Sequence, residues 1–421
     1  MIVTTKRAAF GIATAATAAV FAACSAPGGP GGAGGPGGKK AAQGPRSSVR
    51  LIGDGSTAYT GPQPELPEPE RLKEGQTPPQ FVVFSWDGAG EDGQRLFSHF
   101  REVARKHNAK MTYFLSGVYL LPKEKGILYT APRHEAGQSE IGFNDREGIK
   151  DTLAQLRAAW REGNEIGTHF NGHFCGTDGG VGTWSVDEWK SEISQAKSFV
   201  KNWKTNSGLN AEQPLPFDYD RELIGGRTPC LEGQKNMMPA AKEMNFRYDS
   251  SGIGNQVWPG KDAASGLWDI PLQLVPLPGR DFETLSMDYN FMVNQSGTTQ
   301  GSPSMHEYWG NQLRDGLLQA FDRAYKGNRA PLIIGNHFES WNGGTYMRAL
   351  EQTIESVCDQ RDVRCVSFRQ LVDWLDVQEP SVLAKLRTLG VGEAPKPGWK
   401  TFLAARLQAA EPVKPAVAEH R

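Results

Sequence analysis

Two histidines four residues apart, in His169-Phe170-Asn171-Gly172-His173, are the side chains best suited to chemistry in this 421-residue chain. Imidazoles at that spacing can share one divalent ion, although such a pair alone is more often just polar loop. Only eight histidines are present, and this pair directly follows a strand-like stretch. Asp87 follows another such stretch. It could supply the carboxylate of a two-histidine, one-carboxylate site with positions open to water and substrate. Zinc is the default metal for that set, and cobalt or nickel would also suit it. Arg227 and His337 sit at similar places further along, one after a strand-like stretch and one near the end of another.

The elements that must position these groups alternate. Residues 81–86 form a short apolar run between Pro79 and Asp87-Gly88, as a buried parallel strand would. Leu96, Phe97, Phe100, Val103 and Ala104 then recur at helical spacing. Further strand-like stretches at 110–115, 165–168, 223–226, 246–249, 267–274, 331–335 and 363–366 are separated by helix-like ones. This predicts an α/β fold with a parallel sheet wrapped by helices, and periodicity leaves open whether the sheet closes. In such folds functional groups collect just past the strand C-termini, where Asp87, His169, His173, Arg227 and His337 all fall.

The ordered set Ser85-Trp86-Asp87-Gly88, His169-x-x-x-His173, Arg227-Thr228-Pro229-Cys230 and Ile334-Gly335-Asn336-His337 resembles the polysaccharide deacetylases. These are carbohydrate esterase family 4, also called the NodB-homology domain. The invertebrate chitin deacetylases are closer still in pattern, through Asn245-Phe246-Arg247-Tyr248-Asp249-Ser250-Ser251, Leu267-Trp268-Asp269-Ile270-Pro271-Leu272 and Arg329-Ala330-Pro331. The resemblance implies a distorted (β/α) barrel of about seven strands. It implies a metal held by Asp87, His169 and His173, with His337 as general acid and Arg227 orienting the base. The family's first motif carries two adjacent acids, the base and then the metal ligand. Aligning Asp87 on the second of them puts Trp86 in the base position, and an indole cannot accept a proton from water; shifting the alignment to keep a base puts Gly88 at the ligand position, which is the worse fit. Glu91, Asp92 or Glu339 could stand in, although all three also read as ordinary helix-start or loop acids. Restoring an acid by Trp86→Asp is expected on this alignment to raise turnover. Cys230 replaces the family's usual Tyr.

Both ends read differently from the middle. Lys6, Arg7 and the Ala-rich stretch ending at Phe21-Ala22-Ala23-Cys24 resemble a bacterial lipoprotein signal, with Cys24 the lipidated residue; an ordinary cleaved signal is the alternative. Export to the outer face of the cell membrane is the expected localisation. The domain expectation is a signal peptide over 1–24 and a Gly/Pro-rich tether and spacer over 25–79. The deacetylase-like domain then covers 80–376 and a peripheral tail 377–421. Four cysteines remain after Cys24. Cys358 and Cys365 flank a turn and are expected to pair, leaving Cys175 with Cys230; buried free thiols are the alternative.

A net charge of −1, from 46 basic and 47 acidic residues, argues against a general nucleic-acid binder. No apolar run reaches the roughly 20 residues of a membrane-spanning helix. The expected activity is metal-dependent N-deacetylation of a polysaccharide containing N-acetylglucosamine, peptidoglycan or chitin-like, by a monomer. The competing expectation is a catalytically silent carbohydrate binder. In either case Trp86, Trp258, Trp309 and Trp341 could stack on sugar rings, although several of the 11 tryptophans must be core.

Overall fold

A computed structural model describes residues 49–404. The signal sequence with Cys24, the first part of the tether and the end of the tail lie outside the described residues. Seven strands run parallel in one sheet: β1 (Gln80–Asp87), β2 (Thr112–Leu115), β3 (Glu165–Thr168), β4 (Gly225–Gly226), β5 (Tyr248–Asp249), β6 (Trp268–Asp269) and β7 (Leu332–His337). Their spatial order is β7-β1-β2-β3-β4-β5-β6, each parallel to its neighbour. Val363–Cys365 adds a parallel strand beside the start of β1, and Gly260–Lys261 caps β6 antiparallel.

No ladder joins β6 to β7 among the described residues. The gap is filled by the small sheet of Ile253–Gly254, Leu272–Pro276 and Glu283–Leu285. Its link to β7 runs through Gln273, which accepts from the Ile333 amide, and Ser286, whose hydroxyl donates to the Ile333 carbonyl. The sheet is therefore a curled, incomplete barrel, which settles the question that periodicity left open.

Helices cover the outside: α1 (Leu96–Lys106), α2 (Arg146–Arg161), α3 (Val186–Lys201), α4 (Gln234–Glu243), α5 (Asp288–Gln295), α6 (His306–Lys326), α7 (Trp341–Val357) and α8 (Phe368–Val377). Local sequence explains their starts. Ser185 with Glu188 and Ser367 with Gln370 form capping boxes before α3 and α8, each cap worth about 1 kcal/mol. On α1 the buried residues are Phe97, Phe100, Val103 and Ala104, the stripe read from spacing.

Successive β1 side chains alternate between two cores, as pleating requires. Val82, Phe84 and Trp86 enter the core beneath the outer helices. Phe81 and Val83 enter the other core, with Phe114, Tyr248, Ile333 and Phe368. Ser85 and Asp87 continue that second face.

The described parts of the expected spacer and tail lie against the domain. Arg50–Ile52 and Thr57–Tyr59 form a hairpin, and Ser56 accepts from the amide of Leu215 and the indole of Trp203. Leu72 and Glu70 bond to Gln378, while Leu383, Leu386 and Leu403 are buried in the second core. Apolar positions in both segments find partners on the domain, so residues 49–79 and 377–404 are part of the folded unit. No helix among the described residues is long and apolar enough to cross a membrane.

Candidate active site

Asp87 is the last residue of β1, and its side chain is almost fully buried. Arg227, just past β4, is completely buried, and its Nη1 donates to Asp87 Oδ1 at 2.8 Å and to Ser85 Oγ at 3.0 Å. Nε and Nη2 donate to the carbonyl and hydroxyl of Ser250, both at 2.9 Å. The guanidinium also lies 5.0 Å from the Phe114 ring centroid. A planar five-donor fork is needed to meet these partners at once. Burial alone would raise the Asp87 pKa, but Arg227, helped by His169 and His337, holds it below the ordinary carboxylate value. Asp87 is thus ionised at neutral pH.

His169 follows β3, and its Nδ1 lies 2.8 Å from the Arg227 carbonyl. Nδ1–H must donate there, leaving the lone pair on Nε2. Burial drives its pKa down to about 3, so the ring is neutral; burial also lowers the pKa of His173. The two rings are 5.1 Å apart. Their loop is tightly held. Asn171 donates to the Glu192 carbonyl, the Gly172 amide donates to Tyr129 Oη, and a Cβ on Gly172 would meet the Tyr129 ring at 2.5 Å. Phe170 and His173 both take positive φ, backbone strain of the kind concentrated at functional sites. The Cys175–Cys230 disulfide, Cα atoms 6.0 Å apart, ties this loop to the Arg227 loop. Cys358–Cys365 forms as well.

The expected metal triad does not assemble as a set. Among the described residues, the only three-residue group whose donor atoms all lie within 4.8 Å of one another is His173 with Cys175 and Cys230, and those sulfurs are joined in the disulfide. Asp87 faces the same cavity as the two histidines, but its carboxylate is engaged by Arg227. The residues present fit a two-imidazole half-site and not a three-ligand centre.

His337 ends β7 and is the direct register partner of Asp87. Its Nδ1 lies 2.8 Å from Asp288 Oδ1, and its amide donates to Asp288 Oδ2 at 2.8 Å. Burial would lower its pKa, but the charge and hydrogen bond of Asp288, with Asp87 behind them, raise it above the ordinary imidazole value. Asp87, His169, His173 and His337 line one cavity of about 330 Å³ together with Trp341. Tyr289 and Trp341 flank the His337 ring at 6.4 and 5.4 Å.

Several expected site residues lie elsewhere. Trp86 is fully buried against Phe100, Tyr113 and Phe338, on the face of β1 opposite Asp87. It therefore cannot occupy the position of a base. Trp258 is also core, stacked on Trp374 and donating to the Asn328 carbonyl, and Trp309 is buried on α6. Both are corrections: large apolar rings went to the interior, and only Trp341 reaches the cavity. Glu91 is buried and accepts from the Ser98 amide of α1, while Asp92 caps the turn at Gln94. Glu339 lines the cavity, with its pKa raised by burial against the opposing pull of His337. Sequence reading missed Asp288 and the roles of Ser250 and Ser85. Asp288 stands 49 positions before His337, and no spacing rule connects them.

No family model matches the chain. Chitin deacetylase 1 of Bombyx mori is 24% identical over 252 residues, which are 54% of this chain and 42% of that protein. The chain thus spans less than half the length of that curated relative. Among solved structures, a polysaccharide deacetylase from Mycobacterium smegmatis is similar at TM-score 0.42 and 17% identity, covering 73% of this chain and 94% of that one. One from Pseudomonas aeruginosa is similar at TM-score 0.45 and 14% identity, covering 73% and 95%. The motifs, in this order and gathered at one carboxylate–imidazole cavity, are similar to those of the polysaccharide deacetylases of carbohydrate esterase family 4.

Proposed function

We propose that the cavity hydrolyses the acetamide of an N-acetylated amino-sugar polymer, peptidoglycan or chitin-like, releasing acetate and a free amine. The observation that carries this reading is the pair of opposed assignments on adjoining strands. Asp87 is held below the ordinary carboxylate pKa by Arg227, and His337 is held above the ordinary imidazole pKa by Asp288. A base and an acid with pKa values pushed apart are what amide hydrolysis needs. Asp87 takes a proton from water as its oxygen bonds to the carbonyl carbon. His337 then gives a proton to the sugar nitrogen as the C–N bond breaks. Trp341 and Tyr289 offer apolar faces for sugar rings.

The test is acetate release from an acetylated chitooligomer. Asp87→Asn and His337→Ala should each lower the rate by about 10²–10⁴-fold, the usual worth of one acid–base group. Wild-type acetate release that neither change affects would overturn the assignment. The incomplete metal set favours a second reading, a silent carbohydrate binder. Retained binding of the oligomer with no acetate from the wild type would establish that reading instead.

A companion prediction concerns Asp288. In Asp288→Asn the charge that raises the His337 pKa is gone, so the alkaline limb of the rate profile should move to lower pH. A rate series across pH checks this, and an unmoved limb would remove Asp288 from the mechanism.

A further inference from the structure

We infer that Gly88 is the reason the two histidines lack a third metal ligand, and that this single position keeps the protein from holding zinc tightly. A catalytic zinc site needs three protein ligands, and His169 with His173 supplies two. Asp87 is no substitute. Its carboxylate bonds to Arg227 at 2.8 Å, and its donors do not come together with those of both imidazoles. The next residue is glycine at φ +69, where the chain turns off β1. The nearest atoms a Cβ built there would meet are Tyr119 Oη at 3.5 Å, its ring at 3.6 Å and Ser116 Oγ at 3.8 Å, all ordinary contacts. Tyr119, Ser116 and Gly88 line the same cavity as both histidines, so a side chain at 88 would project into it. The positive φ is one that Asp and Asn tolerate better than most residues. The cavity thus has an imidazole pair and, at 88, a position whose Cβ meets its nearest neighbours at ordinary contact distances, where a carboxylate could complete the set. This inference deepens the reading of the site as deacetylase-like, and it concerns metal binding alone, so its test needs no turnover.

The experiment titrates zinc chloride calorimetrically into the metal-stripped full chain, wild type, Gly88→Asp and Gly88→Asn. Asn shares the shape and backbone demand of Asp without its charge. Gly88→Asp should bind one equivalent at least about tenfold tighter than wild type, because even groups that merely hold ligands in place are worth about 10–100-fold in metal affinity. Gly88→Asn should bind no tighter than wild type. A folded Gly88→Asp protein with wild-type affinity would overturn the inference. Should Gly88→Asp fail to fold by circular dichroism, the wild type decides. Retention of one zinc equivalent through gel filtration would show that three ligands already exist and overturn the inference, and loss of the metal would support it.

Discussion

Trp86→Asp is expected to unfold the protein at neutral pH rather than quicken it. The indole is fully buried, with Phe100, Phe338 and Tyr113 ring centroids 4.9, 5.5 and 5.9 Å away. Truncating a buried aromatic of this size costs about 3–5 kcal/mol. The new carboxylate would also stand among aromatic rings on the face of β1 opposite Arg227, and burying an unpaired charge adds several kcal/mol more. Together these approach the 5–15 kcal/mol stability of a typical domain. Trp86→Phe leaves a smaller cavity and no charge, and should lose far less. Urea unfolding of both variants checks this. A folded Trp86→Asp protein that outpaces wild type would show that position 86 faces the site after all.

Removing the guanidinium in Arg227→Ala is expected to cost about 3–5 kcal/mol, because it leaves Asp87 buried without its partner. The penalty should depend on pH in a defined sense. In the wild type the Asp87 pKa is depressed, so its contribution is present above the unfolded carboxylate value and lost as pH falls through the folded one. In the variant the depressing charge is absent, and protonation of Asp87 relieves the buried charge. The stability gap between wild type and variant should accordingly be widest at neutral pH and shrink on acidification. Arg227→Lys should recover only part of the loss, because one ammonium cannot reach Asp87, Ser85 and both Ser250 oxygens. Urea unfolding at neutral and acid pH measures both effects, and a gap that grows on acidification would refute the pairing.

Much of this was legible in sequence. The 81–86 run with Asp87 after it, the histidine pair after β3, Arg227 after β4 and His337 on β7 all fall where strand–helix alternation places them. Both disulfides were expected, Cys358–Cys365 from its short spacing and Cys175–Cys230 as the remaining pair. What misled was motif alignment overriding the pleat. Period-two alternation puts Trp86 with Val82 and Phe84, and Asp87 with Ser85, so Trp86 and Asp87 cannot share the site. Asp288 was illegible for another reason. It reaches His337 only because Ser286 and Met287 lie beside Gly335, a tertiary contact across the barrel gap that leaves no local signature. Trp258 and Trp309 were indistinguishable from Trp341 by composition, and only packing separates a core ring from a cavity ring.

The most direct test of the account is the pH profile of acetate release from an acetylated chitooligomer by the wild-type protein. Asp87 must be ionised and His337 protonated, so the profile should be bell-shaped. Its acid limb should lie below the ordinary carboxylate range and its alkaline limb above the ordinary imidazole value. A rate that climbs with pH with no alkaline fall would contradict the account, because the proton donor would then not be His337.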